Sequence, residues 1–187
     1  MKWVDQAQPE RVEPMAALAG RCGLPTLLEL LLCAQSHALS VWVSPAAQDS
    51  IHGYLSGHRV EAGGLLLGSR LAPAAPGTVV SVERFVPGTD FDGTSVSLTL
   101  GTRVWDDARP HLDAGLVVVG WAHSHPDLGA FFSSTDRRTQ RAFFSRPWQV
   151  GLCVDPVRGE CAWFRGPDSR ADDLRVLAPE AGFPGAH

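Results

Sequence analysis

The hydrophobic positions of this chain switch between the spacing of strands and the spacing of helices. Segment 38–43 has an apolar residue at every second position, which predicts a strand. Segment 45–57 begins with a proline and carries Ile51, Tyr54 and Leu55 on one helical face, which predicts a helix. A strand followed closely by an amphipathic helix indicates a sheet with helices packed against it.

The rest of the pattern continues this alternation. It predicts strands over 63–68, 78–86, 95–100 and 116–123, helices over 102–114 and 134–144, and a closing hairpin of 148–155 with 161–165. Segment 116–123 is almost wholly apolar, as expected for a strand covered on both faces. The fold class predicted is α+β, a mixed, curved sheet in α/β/α-like layers with flanking helices.

Both ends of the chain differ from this central part. Residues 14–36 predict one or two short helices around Gly23-Leu24-Pro25, which either pack on the core or form a docking surface. Their apolar run, 26–34, is shorter than the roughly 20 residues of a membrane span. The end of the chain is polar and rich in proline and glycine, which favours a flexible tail. We therefore predict a helical extension (1–37), a central domain (38–166) and a tail (167–187).

Composition narrows the classes of function. The chain has 187 residues, is 44% hydrophobic and has a formal charge of −4, which suits one domain and gives no reason to expect nucleic acid or membrane as a partner. Its four cysteines form no CxxC pair, so we expect free thiols, with a disulfide or a second metal site as the open alternatives. Acidic residues stand where a secretory signal would need basic and apolar ones, so we expect a cytoplasmic protein.

The densest chemical signal follows the most apolar segment. His123 and His125 stand two residues apart, so on a strand both rings point to the same face. Asp136 lies eleven residues beyond and can return to that face if the loop folds back. Two imidazoles and one carboxylate leave the fourth position of a tetrahedral zinc open, as in hydrolytic sites. The plain alternative is a pair of ordinary polar residues at a strand end.

A wider pattern surrounds these residues. His123-Ser124-His125-Pro126 is followed by six residues and then by Ser133-Ser134-Thr135-Asp136, and Glu61 precedes the glycine-rich segment 63–68. This arrangement resembles the JAMM motif of the MPN/JAB metallopeptidase family, over residues 39 to 165. The residues around the two histidines are most similar to those of the proteasome-lid deubiquitinase, the COP9 signalosome deneddylase and the JAMM peptidases of bacterial ubiquitin-like conjugation (Bil-type) operons. The resemblance implies an MPN/JAB (cytidine deaminase-like) fold.

The resemblance also implies a role for each motif residue. His123, His125 and Asp136 would hold one Zn²⁺ per chain, Glu61 would act as general base, and Ser133 would donate a hydrogen bond to the oxyanion. Taken alone, Glu61 could be a surface glutamate and Ser133 a simple helix cap, although Ser134 is also available for capping.

The implied function is a zinc isopeptidase. It would cleave after the C-terminal glycine of a ubiquitin-like protein, with the loop 127–132 beside the groove for its tail. Its partners would be that protein, its conjugates and the E1- and E2-like enzymes of a bacterial antiphage operon. One alternative is release or maturation of a sulfur-carrier protein in cofactor or cysteine biosynthesis. The other is a non-catalytic MPN scaffold.

Overall fold

The computed structural model of the chain describes residues 12–73, 75–88 and 103–179. The strand predicted over 95–100 lies outside these residues. The elements within them, in chain order, are β1 (Val12–Pro14), α1 (Ala16–Ser36), β2 (Leu39–Val43), α2 (Pro45–Ser56), β3 (Gly63–Ala72), β4 (Thr78–Pro87), α3 (Arg103–Asp113), β5 (Val117–Ser124), α4 (Ser134–Phe143), β6 (Val150–Asp155), β7 (Glu160–Arg165) and β8 (Leu174–Leu177).

The strands join in one mixed sheet. Their order is β7-β6-β5-β3-β4-β2-β8, and β1 pairs with the end of β3. The pairs β3–β4, β3–β5 and β6–β7 are antiparallel, whereas β5–β6, β2–β4 and β2–β8 are parallel. Every residue of β5 is buried, because this strand lies inside the sheet and is covered on both faces. The α+β class and the mixed sheet predicted from the pattern are confirmed.

Alternating side chains of the sheet enter hydrophobic clusters on opposite faces. One cluster joins Val41, Leu66 and Val119 to Ile51 and Leu55 of α2. A second cluster brings together side chains of β3, β5, α3 and the end of α4, namely Leu65, Leu67, Val104, Ala108, Trp121, Phe132 and Phe144. Helix α2 therefore covers one face, and α3 and α4 cover the face from which Trp121 projects.

The predicted N-terminal extension is built into the sheet. Its helix α1 packs Leu18, Leu30 and Ala34 into a third cluster with Trp42 and Leu71. Short strand β1, which the hydrophobic pattern did not indicate, pairs in parallel with β3. The extension thus shares the hydrophobic core.

Helix α1 is broken at Gly23, within the predicted Gly-Leu-Pro break. This glycine has φ +78° and ψ 162°, a conformation that leaves the helix and that a side chain would strain. The side chain of Arg21, just before the break, bridges Glu13 (2.9 Å) and Glu83 (2.6 Å), which ties the first half of the helix to β1 and β4.

The outer face of α1 is apolar and exposed. Leu24, Leu28 and Leu32 are 67%, 59% and 71% accessible. With 21 residues, α1 is longer than the predicted apolar run, and by length and composition it could cross a membrane. Those two properties are shared by core helices, and the inner face of α1 does pack on the core. The Gly23 break leaves each half shorter than the roughly 20 residues that a span needs.

The segment predicted as a flexible tail differs from that prediction. Residues Leu174–Leu177 form β8, an edge strand that pairs in parallel with β2. Asp173 leads into this strand, and its carboxylate accepts a hydrogen bond from the N–H of Ala38 (2.8 Å). The local composition favours a mobile chain, but backbone pairing with a distant strand orders it, and no local pattern reveals such pairing.

Close strand packing depends on two small residues beside the predicted site. A side chain on Gly64 would overlap the backbone of Val86 and the ring of Phe85. A side chain on Gly151 of β6 would overlap the ring of Phe132 and approach Gln140 Oε1 to 2.9 Å. These glycines let β3 lie close to β4, and the loop before α4 lie close to β6.

Candidate metal centre

The two histidines at the end of β5 point to one face, as their spacing predicts. His123 is the penultimate residue of β5 and pairs with Gly63 of β3, while His125 follows the strand directly. Both rings are buried, and their centroids are 4.8 Å apart, edge to face. Gly63, opposite His123, has no side chain and so leaves space beside the ring.

Asp136 reaches both rings from the first turn of α4. Its Oδ1 lies 3.5 Å from His123 Nε2, and its Oδ2 lies 3.5 Å from His125 Nε2. Helix α4 begins in a capping box, in which Ser133 Oγ accepts from the Asp136 N–H (3.2 Å) and Asp136 Oδ2 accepts from the Ser133 N–H (2.7 Å). The cap therefore fixes the carboxylate between the two imidazoles.

Glu61 joins the group from the segment before β3. Its Oε1 lies 3.5 Å from His125 Nε2, and its side chain is largely buried. The adjacent residue Ala62 forms two hydrogen bonds with Ser124 of β5. Its N–H donates to Ser124 Oγ (3.1 Å), and its carbonyl accepts from the Ser124 N–H (2.8 Å). Ser124, between the two histidines, thus holds Glu61 in place.

The donor set fits a tetrahedral metal ion. Ligands at about 2.0–2.1 Å from zinc are roughly 3.3 Å apart at tetrahedral angles, close to the separations of 3.5 Å between Asp136 and the two Nε2 atoms. His123 Nε2 is fully buried and has no hydrogen-bond partner of good geometry within the described residues. Such a buried nitrogen is costly unless something else binds it.

A cysteine lies beside the same rings. Cys153 of β6 stands opposite His123 in the parallel β5–β6 pair. Ligand atoms of Cys153, His123 and His125 all lie within 4.8 Å of one another, so this buried group is also compatible with a metal. Burial raises the pKa of the Cys153 thiol, which keeps it neutral in the metal-free protein.

The acidic groups of the site differ in their protonation. Burial raises the pKa of Glu61, and the charge of Asp136 adds to this effect, while His125 opposes it. Burial also opposes the ionisation of Asp136, but the two nearby imidazoles and the hydrogen bond from Ser133 hold its pKa far below the ordinary value. One carboxylate is therefore kept ionised, as a ligand must be, and the other is tuned toward proton exchange.

The pKa values of the two imidazoles are shifted in opposite directions. Complete burial lowers the pKa of His123 despite the nearby carboxylate. Burial also disfavours the charged form of His125, but Asp136, Glu61 and the carbonyl of Gly129 together raise its pKa. A neutral His123 is already in the form that binds a metal, whereas His125 would release its proton on binding.

Packing behind the rings fixes the orientation of His123. Trp121 stacks on its ring at 4.4 Å with an interplanar angle of 8°. The Trp121 Nε1–H donates to Gln140 Oε1 (2.7 Å), and Gln140 Nε2 donates to the carbonyls of Phe144 and Gly166. Trp121 therefore supports the His123 ring from behind, and Gln140 ties α4 to β5.

The loop between β5 and α4 has two kinds of aromatic residue. Phe132 is buried against Phe164 and Trp121, so one of the two phenylalanines packs in the core. Phe131 is 48% accessible and places its ring 5.0 Å from that of His125. Leu128 is also exposed, so the loop presents an apolar edge beside the site.

Similarity to known proteins agrees with this geometry. A family model described as "Prokaryotic homologs of the JAB domain" matches residues 45–165, more than half of the chain. The chain belongs to the JAB domain family. The match begins with α2 and ends with β7, so it contains every residue of the site. The family resemblance drawn from the JAMM motif is therefore confirmed.

Two curated relatives are JAMM family members. The chain is 37% identical over 83 residues to the 26S proteasome regulatory subunit rpn11 of Schizosaccharomyces pombe, covering 44% of this chain and 23% of that protein. It is 29% identical over 111 residues to COP9 signalosome complex subunit 5 of Drosophila melanogaster, covering 55% of this chain and 32% of that protein. The chain thus spans a third or less of the length of these relatives.

A solved structure supports the JAB fold. The solution structure of protein DSY2949 from Desulfitobacterium hafniense matches with a TM-score of 0.57 and 24% identity. The match covers 75% of this chain and 93% of that one. It supports the fold alone.

All five residues singled out from the sequence lie together in the JAB domain, namely Glu61, His123, His125, Ser133 and Asp136. Ser133 is the cap of α4, a role that the sequence left open between Ser133 and Ser134. Capping uses a lone pair of the Ser133 oxygen, so its O–H remains able to donate. The sequence missed Cys153 and Gln140, because only strand register and helix packing bring them to the site.

Proposed function

We propose that this JAB domain is a zinc-dependent isopeptidase that cleaves after the C-terminal glycine of a ubiquitin-like protein. The observation that carries the proposal is the contact of the largely buried Glu61 carboxylate with His125, at 3.5 Å from its Nε2. A purely structural zinc site has four protein ligands and needs no such carboxylate. Membership of the JAB family and similarity to two JAMM proteins support this reading.

The residues divide the work of amide hydrolysis. His123, His125 and Asp136 would hold the zinc, which supplies Lewis acidity and lowers the pKa of a water molecule toward 7. Glu61 takes a proton from the attacking water as the water oxygen bonds to the carbonyl carbon. Ser133 donates its O–H to the oxygen of that carbonyl as negative charge develops there. Glu61 then gives the proton to the amine as the carbon–nitrogen bond breaks.

The surface beside the site suits an extended peptide. Leu128 and Phe131 on the loop and Val60 next to Glu61 are exposed apolar side chains. An extended C-terminal tail gains most of its affinity from backbone hydrogen bonds, and apolar contacts such as these select its side chains. We propose that the tail of the ubiquitin-like protein lies along this edge.

The biological setting proposed is a bacterial conjugation operon. Its E1- and E2-like enzymes would attach the ubiquitin-like protein in the cytoplasm, and this JAB domain would remove it or process its precursor. A role in defence against phage belongs to the same proposal. The resemblance of the motif in segment 120–136 to that of Bil-type peptidases is what supports it.

The test uses the ubiquitin-like protein encoded beside this gene. One substrate joins its terminal glycine to a lysine side chain, and a second joins the same glycine to a linear reporter. Intact mass spectrometry should show cleavage directly after the glycine by the zinc-loaded protein. The Glu61→Ala and His123→Ala variants should leave both substrates intact.

The other two functions predict different outcomes. A sulfur-carrier peptidase would cleave a sulfur-carrier junction and leave the lysine-linked substrate intact. A scaffold would hold no metal, cleave nothing and bind a partner tightly. Either pattern would contradict the proposed isopeptidase.

A further inference from the structure

A fully buried carboxylate lies at the end of β6, outside the predicted motif. Asp155 has no accessible surface. Its neighbours in sequence, Pro156 to Gly159, form the turn that leads into β7. A buried carboxylate is costly unless hydrogen bonds satisfy it, so its partners show what it holds in place.

Those partners come from two separate loops. In the turn after β6, Asp155 Oδ1 accepts from the N–H groups of Val157 (3.0 Å) and Arg158 (3.1 Å). In the loop after β5, Oδ1 accepts from the Asp127 N–H (3.0 Å) and Oδ2 from the Gly129 N–H (2.6 Å). Arg158 adds an ion pair, with its Nε 3.5 Å from Oδ2. One carboxylate thus joins the β6–β7 turn to the loop that follows the metal-binding histidines.

The loop held in this way has an unusual backbone. Asp127 has φ +62° and Gly129 has φ +92°, both in the left-handed region. Asp127 is not a glycine, so its conformation needs support from its surroundings. Asp155 accepts hydrogen bonds from the N–H groups of both residues, so its carboxylate stabilises the strained part of the loop.

The strained loop touches the metal centre. The Leu128 N–H donates to the His125 carbonyl (3.2 Å), and the Phe131 ring contacts the imidazole. Outer groups that fix the orientation of a ligand histidine are the usual means by which a protein tunes a metal site.

We propose that Asp155 is a positioning residue for the metal centre. It holds the loop of residues 127–129, and through the contacts of Leu128 and Phe131 with His125 this loop sets the orientation of His125 beside the substrate edge. This inference rests on the proposed function only in that the site binds zinc.

The test compares zinc affinity and folding stability. Asp155→Asn keeps the shape but turns an NH₂ group either toward the three N–H donors at Oδ1 or toward the Gly129 N–H at Oδ2. The matched control is Gln149→Leu, which removes two buried hydrogen bonds, to Val118 and Arg146, away from the metal. Zinc affinity is measured by competition with a chromophoric chelator, stability by urea unfolding of the metal-free protein, and ligand geometry by the visible spectrum with Co²⁺.

Both variants should lose stability, but only Asp155→Asn should change the metal site. We expect its zinc affinity to fall by about 10- to 100-fold, the usual effect of losing an outer partner, with an altered Co²⁺ spectrum. Equal zinc affinities and identical Co²⁺ spectra for Asp155→Asn and Gln149→Leu would overturn the proposal.

If Asp155→Asn does not fold, Gly129→Ala takes its place. Its methyl group meets no atom closer than 3.6 Å, so only the positive φ is perturbed. Lower zinc affinity is again expected, and an unchanged affinity would overturn the proposal.

These readouts separate the inference from the proposed function. A native protein that binds zinc but cleaves no glycine-linked substrate would contradict the isopeptidase, while the zinc affinities would still decide the role of Asp155. A native protein that cleaves such substrates while Asp155→Asn keeps full zinc affinity would contradict only the positioning role.

Discussion

At the scale of residues, the site places two carboxylates in different environments. Asp136 contacts both imidazoles and is held ionised, whereas Glu61 contacts one imidazole and has its pKa raised by burial. A base whose pKa approaches the working pH is the more effective one. These environments suit the roles of base and ligand that we propose for Glu61 and Asp136.

The role of Glu61 can be tested with a neutral substitution. Glu61→Gln should lower kcat by about 10²- to 10⁴-fold, because the amide cannot take the proton. Its zinc content should match that of the native protein, since Glu61 is not a predicted ligand. Measurements of cleavage rate and bound zinc check both parts. Glu29→Gln, at an exposed glutamate on α1, is the control and should keep full activity. Loss of zinc from Glu61→Gln would contradict the assignment.

The third ligand can be identified by comparing Asp136 with Cys153. Zinc at about 100 times its Kd should stabilise the native fold by about 2.7 kcal/mol. We expect Asp136→Asn to abolish this gain, since the amide replaces a ligand carboxylate, and Cys153→Ala to retain it. Urea unfolding with and without zinc gives the gain for each variant. The reverse result would make the cysteine the third ligand.

At the scale of elements, the start of α4 carries the chemistry. One capping box aims Asp136 at the metal and leaves the Ser133 O–H able to donate. The N-terminal end of a helix also carries partial positive charge, which favours both the aspartate and a developing oxyanion. Gln140, one turn from the other end, binds Trp121 behind His123. Helix α4 thus connects the metal, the oxyanion donor and the core.

Capping and catalysis by Ser133 can be separated with a second helix. Ser133→Ala should lower the free energy of unfolding by about 1 kcal/mol through loss of the cap. It should also lower kcat by about 10²- to 10³-fold through loss of an oxyanion donor. Ser44→Ala removes the cap of α2, where Ser44 Oγ accepts from Ala47 N at 3.1 Å, and should cost similar stability. An equal loss of kcat in both variants would show that Ser133 acts only as a cap.

At the scale of the whole molecule, one sheet joins the site to distant parts of the chain. The metal strand β5 lies between β3, which follows Glu61, and β6, which carries Cys153 and ends at Asp155. The exposed leucines lie on the outer face of α1, and the inner face of this helix packs on the sheet. Stability and site geometry are therefore coupled through β5 and β6.

The buried carboxylate Asp155 predicts a pH dependence of folding. Burial opposes its ionisation, but the N–H groups of Gly129, Asp127, Arg158 and Val157 hold its pKa below the ordinary value. A lowered pKa in the folded state gives stability that is complete above the unfolded value, about 3.9, and is lost as the pH falls through the folded value.

Asp155→Asn cannot titrate, so it isolates this contribution. The difference in free energy of unfolding between the metal-free native protein and Asp155→Asn should be constant near neutral pH. It should narrow as the pH falls below about 3.9. Urea unfolding at several pH values measures the difference, and a gap that stays constant into this acidic range would show that the charge of Asp155 does not stabilise the fold.

The sequence by itself determined most of the elements and the chemistry of the site. Periodicity located β2, α2 and α4, because a buried face must repeat with the period of its element, and an unbroken apolar run located β5. The spacing of His123, His125 and Asp136 predicted a convergent donor set, because strand alternation and a helix start are local geometry. Strand β8 and the short strand β1 escaped prediction, because edge pairing depends on a distant partner and leaves little hydrophobic pattern.

Only the tertiary structure decided which other groups surround those donors. Parallel pairing of β5 with β6 brings Cys153 beside His123 and places Asp155 below the loop that follows His125. The fold also decided that Ser133, rather than Ser134, caps α4. Contacts between strands far apart in sequence depend on register and sheet order, which a local pattern does not encode. The candidate ligands were therefore readable in the sequence, whereas the groups around them were not.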